Sequence, residues 1–131
     1  MKELFRIYLT NWINLGVVFL FVYIAGFLSA LLNDKFTIRE AFFGTTYSVV
    51  LYGMLFWLGF ILSVFILDTI LFSIYREPKY VFIKLIIEWL IISLPFIYWL
   101  CKYNQWIFLV AVLAFLIGQY LRQTPIVKLL Q

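Results

Sequence analysis

From Ala41 to Tyr75 the chain runs without a proline and with one charged side chain, Asp68. At 1.5 Å per residue, a helix over that stretch exceeds the ~30 Å hydrocarbon core of a bilayer. A chain of 131 residues has no soluble core large enough to bury it, and three further apolar segments compete for the same interior. Composition points the same way. The sequence is 66% hydrophobic and 12% charged, where soluble domains carry about 25% charged residues. The solvent expected for most of this chain is lipid.

The apolar segments mark four spans, at about 13–32, 44–72, 80–100 and 106–121. Ahead of the first, Met1 to Thr10 mixes Lys2, Glu3 and Arg6 with Leu4, Phe5, Ile7 and Tyr8, which predicts a short helix in the headgroup layer. Asn11, Trp12 and Asn14 read as an interfacial marker. Basic residues before an apolar run also resemble a signal peptide. A cut near Ala30, however, places Phe27 or Leu28 where a small residue is needed, so a retained span is expected. Asn33 and Asp34 are expected to stop the first helix, and Thr37 with Glu40 has capping-box spacing for the second.

Arg76-Glu77-Pro78-Lys79 forms a turn too short for the third span to do anything but run back antiparallel, with Pro78 suited to its first turn. Pro95 predicts a kink in that span. Cys101 to Gln105 reads as a tight loop. After the fourth span, Gln119, Arg122 and Gln123 are expected to meet water, and Pro125 to prevent the helix from continuing through Lys128. The fold class read from this pattern is an all-α membrane protein: a single domain, 1–131, of four antiparallel transmembrane helices with short loops.

Basic residues orient such a bundle. Lys2, Arg6, Arg76, Lys79, Arg122 and Lys128 fall on the side with both termini, against Lys35, Arg39 and Lys102 opposite. Both termini are therefore expected in the cytoplasm of a multi-pass protein of the cell inner (plasma) membrane. Low alanine with abundant Phe, Ile, Tyr, Lys and Asn suggests an AT-rich bacterial genome. The net charge of +4 is absorbed by this topological pattern. With no Arg-rich run or recognition motif, no nucleic-acid partner is expected.

Three ionisable residues lie inside the apolar runs: Asp68, Lys84 and Glu88. Folding the chain about Glu77 and Pro78 brings Asp68 to the depth of Ile87 and Glu88. Lys84 then sits one turn nearer the cytoplasm on the face of Glu88. The three are expected to meet about 13–15 Å from the turn. Burying each charge at a span centre costs roughly 2.5–3.5 kcal/mol, so they should face the interior and pair. Lys84 neutralises only one of the two carboxylates, which leaves the other to a proton, water, Arg76 or a partner's cation. A structural lock on the hairpin, a proton or cation site, and a docking point for another subunit all fit this cluster; alternatively Lys84 snorkels to the headgroups.

Gly26 with Ala30, Gly59 with Ser63, and Ala114 with Gly118 form small-residue pairs at helical spacing, which let helices approach closely. Histidine is absent and Cys101 is the single cysteine. The commonest haem and metal ligands and the usual general base are thus missing, and no cofactor, metal set or catalytic constellation is expected. Small multidrug exporters also have four short-looped spans, but their key glutamate is in the first helix, where this chain has none. The expectation is a small non-enzymatic integral membrane protein, an accessory or assembly subunit of a larger inner-membrane complex. Its partners would be the lipid bilayer and other membrane subunits or further copies of itself. The alternative is an oligomeric transporter, channel or pore-forming effector that uses Glu88, Asp68 and Lys84 as an intramembrane ion or proton site.

Overall fold

A computed structural model describes residues 2–32, 35–74, 77–104 and 106–130, and of Tyr52 the backbone alone. Its elements are α1 (Lys2–Leu9), α2 (Asn11–Leu31), α3 (Ile38–Thr46), a π-helical segment (Tyr47–Tyr52), α4 (Met54–Ile74), a 3₁₀ turn (Pro78–Tyr80), α5 (Val81–Tyr103) and α6 (Ile107–Leu130). No strand occurs among the described residues. Among the described residues, four helical runs are long and apolar enough to cross a membrane: Lys2–Leu31, which joins α1 to α2, then Met54–Ile74, Pro78–Tyr103 and Ile107–Leu130.

Local chemistry sets several of these ends. The Thr37 hydroxyl accepts from the Glu40 amide at 3.2 Å and the Glu40 carboxylate accepts from the Thr37 amide at 3.4 Å, so the expected capping box opens α3. Pro78 opens the 3₁₀ turn, where its missing N–H leaves no carbonyl unsatisfied. Asn104, in the left-handed conformation at φ 53°, ends α5. The expected stops at Asn33, Asp34 and Arg76 lie outside the described residues.

Two expectations are corrected. Proline does not end α6: the helix runs through Pro125 to Leu130, with Ile126 fully buried against Ile7, Phe72, Val81 and Leu85. Tertiary packing on that face outweighs the one N–H that proline removes. The helix entered at Ala41 is not uniform to its end; its regular α-helix is interrupted by the π segment and Gly53. The expected short N-terminal helix is α1, and it packs against the bundle. Ile7 is fully buried, and the Tyr8 hydroxyl meets Thr69 on α4.

The interior has two apolar clusters with a polar layer between them. One cluster joins Val18, Phe60, Val64, Ile92, Ala114 and Phe115. The other joins Ile7, Phe72, Val81, Leu85 and Ile126. Along each helix the buried side chains between the clusters are polar: Asn11 and Asn14 between Ile7 and Val18, Asp68 between Val64 and Phe72, Glu88 between Leu85 and Ile92, and Gln119 and Arg122 between Phe115 and Ile126. All six are at least 95% buried.

Candidate functional site: a buried guanidinium centre

Because α6 continues past Pro125, Arg122 stays on the interior face that begins with Ala114 and Phe115, and it is fully buried. The sequence had placed Gln119 and Arg122 in water; the structure puts both in the centre. A guanidinium carries five N–H donors and no acceptor. Here each finds an oxygen. Nε donates to Thr10 Oγ1 at 2.6 Å, and Nη1 to Glu88 Oε2 at 3.3 Å and Gln119 Oε1 at 3.4 Å. Nη2 donates to Asp68 Oδ2 at 2.5 Å and to the Ile7 carbonyl at 3.3 Å. One side chain thus ties α6 to α1, the α1–α2 joint, α4 and α5.

The Ile7 carbonyl shows why the joint sits at Thr10. It accepts from the Thr10 amide at 3.0 Å and the Thr10 hydroxyl at 2.5 Å as well as from Arg122. A chain of amides extends the centre toward the first cluster. Asn11 Nδ2 donates to Asp68 Oδ2 at 2.7 Å. Asn14 Nδ2 donates to Asn11 Oδ1 at 3.3 Å and to Gln119 Oε1 at 3.0 Å. Gln119 Nε2 closes the circuit on the Leu85 carbonyl at 3.1 Å. Planar, multidentate recognition of two carboxylates and a carbonyl is a task for arginine rather than lysine.

Of the three ionisable residues singled out from sequence, Asp68 and Glu88 meet on this guanidinium. Lys84 does not join them. Its ammonium lies 5.0 Å from the Phe72 ring centroid and has no hydrogen-bond partner among the described residues. The internal cation expected of Lys84 is therefore Arg122. The reason is reach across the bundle: Lys84 and Glu88 share one helix and one face, whereas Arg122 approaches both acids from α6.

Asp68 Oδ1, Glu88 Oε1 and Asn14 Oδ1 are buried and accept no hydrogen bond among the described residues. One guanidinium faces two carboxyl groups, so the set is neutral when it carries one added positive charge. Thr10, Asn11, Asn14, Gln119 and Arg122 were absent from the cluster expected from sequence. Their signal was present. Ile7, Asn11, Asn14 and Val18 fall at helical spacing on one stripe, as do Phe115, Gly118, Gln119, Arg122 and Ile126. The same stripe carries the core above and below, so its polar members lie inside too.

The small-residue pairs divide. Gly118 sits directly beneath Asn14: a Cβ there would lie 2.6 Å from Asn14 Oδ1 and 3.2 Å from its Cα. Ala114 is buried in the first cluster, and Gly26 lies against Thr45 of α3. Gly59 has open space where a Cβ would stand, and the Ser63 hydroxyl returns to the Gly59 carbonyl at 2.7 Å. Those two line a groove between α4 and α5, with Ile66, Pro95 and Trp99 along its sides. No family model, curated protein or solved structure matches this chain.

Proposed function

We propose that this chain is a non-enzymatic integral membrane subunit that supports the assembly of a larger complex in the cell inner membrane. In this reading four antiparallel spans cross the bilayer with both termini in the cytoplasm. The observation that carries the proposal is the groove beside Gly59 and Ser63. It is apolar, runs between two spans, and is floored by the residues that admit a neighbouring helix most closely. The guanidinium centre then has a structural task. Its charges are turned inward and spent on joining four helices, which holds α4 and α5 in place for a partner. Recovery from native membranes in mild detergent tests this. Another membrane protein should accompany the chain in fixed ratio, and Gly59→Leu should release it. A chain that emerges alone in every detergent rejects the proposal.

A second reading is favoured by a separate observation: Asp68 Oδ1 and Glu88 Oε1 accept no hydrogen bond among the described residues. As an oligomeric transporter or channel, the protein would use these two acids as the ion or proton site, with Arg122 rather than Lys84 as the internal counter-charge. Buried ionisable groups within spans mark such pathways in other proteins. Reconstituted flux that is unchanged by Glu88→Gln and Asp68→Asn counts against this alternative.

A further inference from the structure

On the side of the polar layer where the first apolar cluster lies, the helices do not close. They leave a cavity of about 240 Å³, partly open to the surface, with walls from α2, the π segment, α4, α5 and α6. Val22, Val49, Phe60, Ala111 and Phe115 are among its lining. The π segment shapes one wall. Its wider winding brings the Val49 carbonyl to the Trp57 indole, whose Nε1 donates to it at 3.0 Å. That bond pairs the Val49 carbonyl and the Trp57 indole within the protein itself, which leaves the Ser48 hydroxyl as the other polar side-chain group on the wall. Isolated π-helical turns inside α-helices commonly occur at functional sites.

Water is a poor occupant, because a buried water needs two to four polar partners. An apolar cavity of about 150 Å³ stays dry and takes up benzene. This one is larger and mostly apolar, with Ser48 its one hydroxyl side chain and one side open to the surface. The apolar molecule that a bilayer supplies to a pocket among its spans is a hydrocarbon chain. We propose that this cavity binds a single acyl chain of a membrane lipid, entering between the helices from the side. The inference rests on the reading of the protein as membrane-embedded.

Photo-crosslinking in vesicles of phosphatidylethanolamine and phosphatidylglycerol tests it, with the full chain carrying p-azidophenylalanine at one position and adducts read as the mass of the intact protein. Phe115 is 2% exposed and faces the cavity, Leu62 is 60% exposed on α4, and Phe72 is fully buried in the other cluster. The expected result is a lipid adduct at Phe115 and at Leu62, and none at Phe72. Filling the cavity by Ala111→Phe on α6, or by Val22→Phe on α2, should remove the Phe115 adduct and leave that at Leu62. Labelling at Leu62 without Phe115 overturns the acyl-chain site while leaving the membrane reading intact. So does a Phe115 adduct that survives both fillers, or equal labelling at Phe72. An absence of adducts at Leu62 and Phe115 alike removes the membrane reading, and the site with it.

Discussion

Arg122 shows how much one side chain decides. Removing the partner of a buried charge costs more than the net worth of the pair, since the groups left behind stay desolvated. Arg122→Met strands Asp68 and Glu88 together, and a loss of about 3–5 kcal/mol is expected in detergent unfolding. Adding Asp68→Asn and Glu88→Gln to that variant should restore part of the loss, because the stranded charges are then gone. Lys84→Met gives the contrast. Its ammonium has no hydrogen-bond partner among the described residues, so the change should stay within about 1 kcal/mol of the parent. Equal losses at the two positions would show that the acids have been given the wrong cation.

Gly118 belongs at the same scale. Asn14 reaches Gln119 across a helix contact that leaves no room for a methyl group. Gly118→Ala pushes Asn14 aside and breaks the amide circuit, at an expected cost of about 1–3 kcal/mol by the same unfolding measurement. Gly26→Ala meets the Thr45 methyl at 3.3 Å and the Ile107 Cδ1 at 4.0 Å, side-chain ends rather than backbone, and should cost less.

At the level of elements, the second apolar run carries the more informative irregularity. The expectation of one long helix came from the lack of proline between Ala41 and Tyr75. Proline is not the only way to interrupt a helix, and here winding changes instead. Gly53 closes the π segment, and its amide bonds the Ser48 carbonyl at 3.1 Å. A Cβ on Gly53 would collide with the Val49 carbonyl that Trp57 uses. Gly53→Ala should therefore displace that carbonyl and free the indole. The check is tryptophan emission in a variant that keeps Trp57 alone, where a shift relative to the Gly53 parent is expected. Unchanged emission would mean that the segment tolerates the methyl group and that the contact is not what sets its shape.

Pro125 is the converse case, a proline that leaves the helix running. Its position was legible, but its consequence was not, because that depended on Ile126 having a buried place to fill. The capping box at Thr37 and Glu40 was readable directly, since both partners lie within one turn and need nothing from elsewhere.

For the molecule as a whole, burying Arg122 alters the reasoning about orientation. The residue no longer belongs in the count of interfacial charges. Lys2, Arg6, Arg76, Lys79 and Lys128 remain against Lys35, Arg39 and Lys102, five against three, so the proposed orientation still rests on the larger basic count. Cys101, exposed at the far end of α5 and the single cysteine, provides a native test. A membrane-impermeant maleimide should label it in right-side-out vesicles and fail to do so in inverted ones. The opposite pattern would turn the bundle over.

The sequence alone determined that the chain is helical, where its four long apolar runs lie, and that its few interior charges need company. Each of these follows from properties of single segments: hydropathy, helical spacing and the cost of an unpaired charge. Only the tertiary structure decided which company they keep. Asp68 and Glu88 come from helices joined by a short turn, and their depth was open to arithmetic. Arg122 lies more than thirty residues from either acid, on a helix whose apolar residues pack into the core on either side of it. That pairing is a property of how four helices pack around one point, and a segment read by itself carries no record of it.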